Sequence, residues 1–274
     1  MAVVAIAQQI GSRGLELGGL VAAKLRYPLL GPEELAADLA RDYKVTPEMI
    51  SLVDERQPGW WERLTTDSAR VGAFFRAVIM KHISLCDVVV VGRSTPFMIP
   101  PESRHGLRVR AIAPFHTRVR EVMREEKLES AAAERRVRHY DQEVRARIQH
   151  SLGVDLEDHS RYDLIINTAA RPLPWFASTI VELANAIDRE ADVRSIQALK
   201  DACLTAQVRA ALFAHPKMGH APIDVESRSG AVLLKSSALV PPWDELATSI
   251  VRRVPGVVGV DLQIDEPPMP LRAE

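Results

Sequence analysis

The chain has 274 residues, 47% hydrophobic and 26% charged, which is enough for one large domain or two ordinary ones and excludes a disordered chain. Its 35 Lys and Arg against 36 Asp and Glu leave a formal charge of −1, so no global positive field recruits nucleic acid or anionic lipid. Two distant cysteines, Cys86 and Cys203, exclude a disulfide scaffold and an all-cysteine zinc site. No apolar run approaches the ~20 residues of a membrane helix. The opening apolar run Met1–Ala7 lacks the preceding positive charge of a secretion signal, and we read it as a buried strand of a cytoplasmic protein.

In chain order, four short apolar runs have the character of buried parallel strands: Ala2–Ala7, Asp87–Gly92, Arg108–Ala113 and Asp163–Thr168. Helical patterns separate them. Leu15–Leu25 follows the first run, and Glu33–Asp42 follows Pro32, a good first helical residue. Asp67–Leu85 places Val71, Phe74, Phe75, Val78, Ile79 and Ile83 on one helical face. Thr117–Arg124 and Ser130–His150 are charged and amphipathic, and Trp175–Arg189 closes the series. The alternation predicts an α/β fold with a parallel sheet between helices.

The rhythm changes near residue 190. Glu190–Arg194 reads as a linker, followed by a helix (Ile196–Ala214), two strands (Ile223–Arg228 and Ala231–Lys235) around Ser229-Gly230, a helix (Trp243–Val254) and a strand (Val257–Ile264). This predicts two domains, 1–190 and a small α+β unit at 199–267.

The first strand runs into Gln9-Ile10-Gly11-Ser12-Arg13-Gly14, and a helix follows. Such a loop is a phosphate cradle. Unpaired amides and the helix dipole attract an anion, and glycine lets it approach the backbone. Ile10-Gly11-Ser12-x-Gly14, Tyr27-Pro28, Asp54-Glu55-x-x-Pro58-x-Trp60-Trp61-Glu62 and Val89-Val90-Val91-Gly92-Arg93 occur in that order. Ala113-Pro114, Arg118-Val119-Arg120-x-Val122-Met123, Val137-x-x-x-Asp141-x-x-x-Arg145 and Tyr162–Thr168 come after them. Over roughly residues 1–190 this series resembles the cytidylate kinase-like family of P-loop nucleoside monophosphate kinases.

The resemblance implies ATP and Mg²⁺ as cofactors and a nucleotide as partner. It implies phosphate binding by Gly11, Ser12 and Gly14, with Arg93 gripping a nucleotide phosphate just past a buried strand. The Ser130–His150 helix would then be a lid, with Arg138 and Arg145 seven apart on one face joining Arg13 as the catalytic cations; Asp141 between them reads as an ion-pair partner. No metal-ligand set is read from the spacing.

Departures from the pattern accompany these matches. Gly14 stands in the place of the P-loop lysine, and Leu15 and Glu16 in the places of the Ser/Thr that ligates Mg²⁺. Arg13 replaces a glycine, Gly31 an aspartate, and Ala7-Gln8-Gln9 a Ser-Arg-Glu. Two functions are therefore expected: a weak or specialised kinase, or a silent nucleotide-responsive scaffold.

Residues 199–265 resemble a BON domain in Leu204-x-x-x-Val208, Gly230-x-Val232-x-Leu234 and Val254-Pro255-Gly256-Val257-x-x-Val260. BON domains are associated with phospholipid, but this unit has no basic amphipathic helix, which favours a protein or ligand partner. His215 and His220 lie five apart in a loop without a third ligand, Trp60 and Trp61 read as packing, and Cys86 as an inert core residue.

Overall fold

A computed structural model describes residues 2–49, 66–190, 192–219, 221–237 and 239–264. Trp60, Trp61, the motif around them and His220 lie outside the described residues. The larger sheet contains β1 (Val3–Gln8), β2 (Leu29–Leu30), β3 (Val88–Val91), β4 (Gly106–Ile112) and β5 (Leu164–Asn167). All its pairings are parallel, in the order β2-β3-β1-β4-β5. The four strands expected from apolar runs are present; β2, two residues long, is too short to leave a sequence signal.

Alternation along the strands makes two cores. Val3, Ala5, Val88 and Val90 face one layer, and Val4, Ile6, Val89 and Val91 the other. The second layer is closed by α1 (Gly14–Leu25) and by α6 (Leu173–Glu190), through Leu17, Val21, Ala177, Ile180 and Ala184. The first is closed by α2 (Pro32–Tyr43) and α3 (Thr66–Leu85) through Leu39, Phe74, Val78 and Ile83. At one end of the sheet, α4 (Phe115–Glu126) and α5 (Ser130–Leu152) pack together through Val119, Val122, Ala133 and Val137.

The region read as a linker is a tight joint. Helix α6 runs to Glu190 and α7 begins at Val193, with the Asp192 carboxylate accepting from the Ser195 amide at 2.7 Å. Helix α7 (Val193–Ala214) does not belong to the small unit alone. It buries Leu199, Cys203, Ala206 and Ala210 in the first core, against α3. Its other face, Leu204, Val208 and Leu212, packs on β6 (Asp224–Arg228), β7 (Ala231–Lys235) and α8 (Trp243–Val251). Two apolar stripes on one helix make it common to both units, so a division between residues 190 and 199 cuts through a shared core.

The small sheet has the order β6-β7-β8, with β8 at Gly259–Gln263. β6 and β7 form a hairpin through Ser229 and Gly230, both at positive φ, and β8 runs parallel to β7. This is the helix–strand–strand–helix–strand order read from the sequence.

A second tie fixes α7 to the base of the large sheet. Ser195 Oγ accepts from the amides of Arg104 (2.6 Å) and His105 (3.1 Å) and lies 2.7 Å from His105 Nδ1. Ser103 Oγ lies 3.2 Å from the same oxygen, so the Ser195 hydroxyl ties together the Arg104–His105 amides, the His105 ring and Ser103. Burial holds the His105 pKa below the ordinary histidine value. The unfolded chain therefore takes up the ring proton first as pH falls. The contribution is complete above about pH 6.5 and is lost progressively below it. Denaturant titrations between pH 8 and 5 should show that decline, and His105→Gln should reduce it. The shared helix predicts that Leu199→Ala costs about 2–5 kcal/mol and lowers the denaturation midpoint of the large unit, not only of the small one.

Candidate nucleotide site

Strand β1 pairs with β3 on one side and β4 on the other. The chain leaving β1 runs toward β2 and the chain leaving β4 runs toward β5, so the order reverses between β1 and β4 and a crevice opens beyond their carboxyl ends. The 9–13 loop occupies that crevice. It is anchored by Gln9, whose amide donates to Ala111 O (3.1 Å) and whose side chain accepts from the Ala113 amide (3.3 Å).

Two glycines are required by space. At Gly11, with φ +73°, a Cβ would stand 2.4 Å from the Arg118 carbonyl oxygen of α4. At Gly14 it would stand 2.5 Å from Gln8 Cβ. The loop is held inward by its own bonds. Ser12 is fully buried, and both its amide (3.1 Å) and its hydroxyl (2.8 Å) donate to Gln9 O. The Leu15 amide donates to Gln8 Oε1 at 2.9 Å. Of the first-turn amides of α1, those of Gly14 and Glu16 have no acceptor among the described residues.

Arg13 sits in the left-handed region at φ 57°, where a P-loop places glycine. Its guanidinium donates twice to Glu16, at 2.8 and 2.7 Å, and that bond holds the Glu16 carboxyl below the usual range. Gly31, in place of an aspartate, caps α2, and its amide donates to Glu34 at 3.0 Å.

A cleft of about 480 Å³ opens beside the loop. Gly11 and Arg13 form one wall, Thr117 and Arg120 at the start of α4 a second, and Asn167 and Arg171 after β5 a third. Thr168, also at the cleft, is fixed by its amide and hydroxyl, both donating to Ile112 O. The sequence reading singled out neither Arg120 nor Arg171. For Arg171 the available signal was position, four residues past the carboxyl end of β5; Arg120 figures only within a motif and lies inside α4, eight residues past β4.

The remaining expected cations gather elsewhere. Arg93 stacks on the ring of buried Tyr140, 4.7 Å from its centroid, and Arg136 lies 5.4 Å from the same ring. Arg138 covers Phe115 at 4.3 Å. Arg145 pairs with Glu157 at 3.5 Å, and Glu157 also holds Arg110. Asp141 is an ion-pair partner, as read, but of Arg118 on α4, which donates to it at 3.0 and 2.8 Å. The structure thus brings Gly11, Ser12, Arg13 and Gly14 into one loop at the cleft. It places Arg93, Arg138 and Arg145 in packing or ion-pair contacts around α5.

The family model described as "Cytidylate kinase-like family" matches residues 3–170, and the chain belongs to that family. Among solved structures, an uncharacterized protein from Eubacterium ventriosum ATCC 27560 is similar at 15% identity and a TM-score of 0.51, over 68% of this chain and 99% of that one. A shikimate kinase from Acinetobacter baumannii aligns at 13% identity and TM-score 0.42, covering 68% of this chain and 94% of that one. A gluconokinase from Sinorhizobium meliloti 1021 aligns at 17% identity and TM-score 0.40, covering 69% and 93% respectively. The first of these is a likeness of fold alone. No curated protein matches the chain. Among the described residues, no helix is long and apolar enough to cross a membrane.

The left-handed backbone at Arg13 yields a prediction in which the ion pair cancels. Arg13→Ala and Arg13→Gly both remove the bond to Glu16, but only glycine relieves the strain. The glycine variant should be the more stable by about 1 kcal/mol in urea denaturation.

Proposed function

We propose that this chain binds a nucleotide in the cleft beside the 9–14 loop, and that any phosphoryl transfer from ATP to a nucleoside monophosphate is slow. The observation that carries the reading is the cleft at the switch point, with Gly11, Arg13, Arg120 and Arg171 on its walls. The cleft also takes in Glu121, which accepts from Arg124, and Arg13 is paired with Glu16, so Arg120 and Arg171 are the guanidiniums best placed to hold a phosphate through paired hydrogen bonds.

The donor set fits a nucleotide better than it fits its usual metal. Leu15 offers no oxygen from its side chain, the Glu16 carboxylate is engaged by Arg13, and the Ser12 hydroxyl is spent on Gln9 O. We therefore derive no step through Mg²⁺. What the chain's own groups supply is binding and charge. The Gly14 and Glu16 amides point from the positive end of α1, and Arg13 can neutralise phosphate only by exchanging Glu16 for it. With Gly14 in place of a lysine, no loop ammonium follows charge onto the β–γ bridge.

The alternative, a catalytically silent and nucleotide-responsive scaffold, is favoured by one specific contact. The Gln8 carboxamide accepts from the Leu15 amide, a group that a working cradle offers to phosphate. In either reading we take the C-terminal unit, with its helix–strand–strand–helix–strand order, as a BON-like module serving a partner, and the protein as cytoplasmic.

A thermal-shift panel of nucleoside mono-, di- and triphosphates tests the binding. A nucleotide at about 100 times its dissociation constant should add roughly 2.7 kcal/mol of stability. Arg120→Ala should weaken that nucleotide by about 1.5–3 kcal/mol while leaving the ligand-free melting temperature nearly unchanged. No shift with any nucleotide would overturn the reading. In a coupled assay of ADP release, turnover with CMP should fall below the range of about 1–100 per second typical of kinases.

A further inference from the structure

The small sheet has two unlike edges. Along β6 the side chains include Asp224, Glu226 and Arg228, the first two tied to Arg209 and Lys235, and α7 packs along that strand. Charges and a covering helix are the usual protections of a sheet edge. β8 has neither. It reads Gly259-Val260-Asp261-Leu262-Gln263, with no lysine, no proline and no bulge in its pairing with β7. Among the described residues nothing pairs with its outer side. Large apolar side chains are exposed along and beside it: Val258 at 87%, Leu262 at 37% and Ile264 at 53%, with Val240 and Trp243 also exposed.

The direction of the free backbone groups follows from one bond. The Ser236 amide donates to Gln263 O at 3.1 Å, so Gln263 faces the β7 side. Backbone groups alternate along a strand, so those of Val260, Leu262 and Ile264 face outward. We propose that this edge is the seat of a second copy of the chain, two β8 strands pairing antiparallel about a twofold axis at Leu262.

The register is set by side chains and by one competing bond. Centred on Leu262, the outward groups of Leu262 meet their symmetry mates, and Val260 meets Ile264 of the other copy. Both pairs are apolar and continue the inner face, which is lined by Val232 and Leu234 opposite Val260 and Leu262. On the outer face Asp261 meets Gln263. Centred on Asp261, two carboxylates would stand directly opposite, which is destabilising. Centred on Val260, Leu262 would need the backbone of Val258, whose amide is committed to Gly230 O at 2.8 Å. A register centred on Gln263 also avoids both conflicts, setting Leu262 against Ile264, but it pairs only residues 262–264, whereas the Leu262 register pairs residues 260–264 and joins the two three-stranded sheets into one of six. Self-complementarity of this kind is what a twofold interface demands. This inference does not depend on the nucleotide reading.

Sedimentation velocity of the full chain up to about 100 µM tests it, with nucleotide absent throughout. The wild type should show a concentration-dependent dimer. Gln263→Lys faces Asp261 of the other copy twice by symmetry and should tighten the dimer about 2- to 30-fold, while Gln263→Asp should loosen it to a similar extent. Leu262→Glu puts two carboxylates at the axis and should weaken the dimer about tenfold or more. Residue 263 lies on the solvent face, so its two variants decide the matter even if Leu262→Glu fails to fold. A monomeric wild type would overturn the proposal, as would a dimer whose strength is the same with Lys and with Asp at position 263.

Discussion

Everything at the candidate site depends on β1 having a parallel neighbour on each side. The connection leaving β1 runs toward β2 at one edge of the sheet and the connection leaving β4 runs toward β5 at the other, so the two diverge and leave a crevice at the end of β1. The chain emerging from β1 must turn inside that crevice at once, since α1 begins at Gly14. Five residues cannot make the turn without close contact to their surroundings. That is why Gly11 lies on the backbone of α4 and Gly14 on the side chain of Gln8. The geometry of the loop is thus imposed by the sheet, and its chemistry is what the sequence has varied.

The variation acts consistently. Residues that would face a phosphate in a P-loop are here turned toward the protein: Ser12 to Gln9, Leu15 to Gln8, Arg13 to Glu16. Each bond satisfies a group that would otherwise be held open for a ligand at some cost in stability. A nucleotide entering the cleft therefore competes with internal partners, whereas Arg120 and Arg171 stand along its other walls. The same holds around α5, where Arg138 and Arg145 are occupied by Phe115 and Glu157. That distribution of charge is what supports the proposal of binding without fast transfer.

β1 and β3 are legible because they are buried on both faces and carry continuous apolar runs; β4 keeps apolar residues around Arg108 and Arg110, and β5 is a short, partly buried edge strand. The loop was legible because a strand, glycines and a helix follow in immediate succession. The role of α7 was not. Its two apolar stripes interleave along 22 residues, so the pattern shows a well-buried helix without showing that Leu199 and Leu204 serve different cores. The lid arginines were read by spacing, seven apart on one face, but spacing does not record that Glu157, from a later loop, takes Arg145. Arg120 was hidden for a similar reason. It sits in a charged amphipathic helix, and only the return of the chain after β5 makes it the wall of a cleft.

The most direct measurement is backbone amide NMR of the full chain titrated with ATP. The account predicts that the amides of Gly11, Arg13, Gly14, Thr117 and Asn167–Arg171 shift together along one binding curve, with the Leu15 amide moving as Gln8 is displaced, while β6 to β8 stay unchanged. A titration that leaves the loop amides still, or moves only the C-terminal unit, would contradict it.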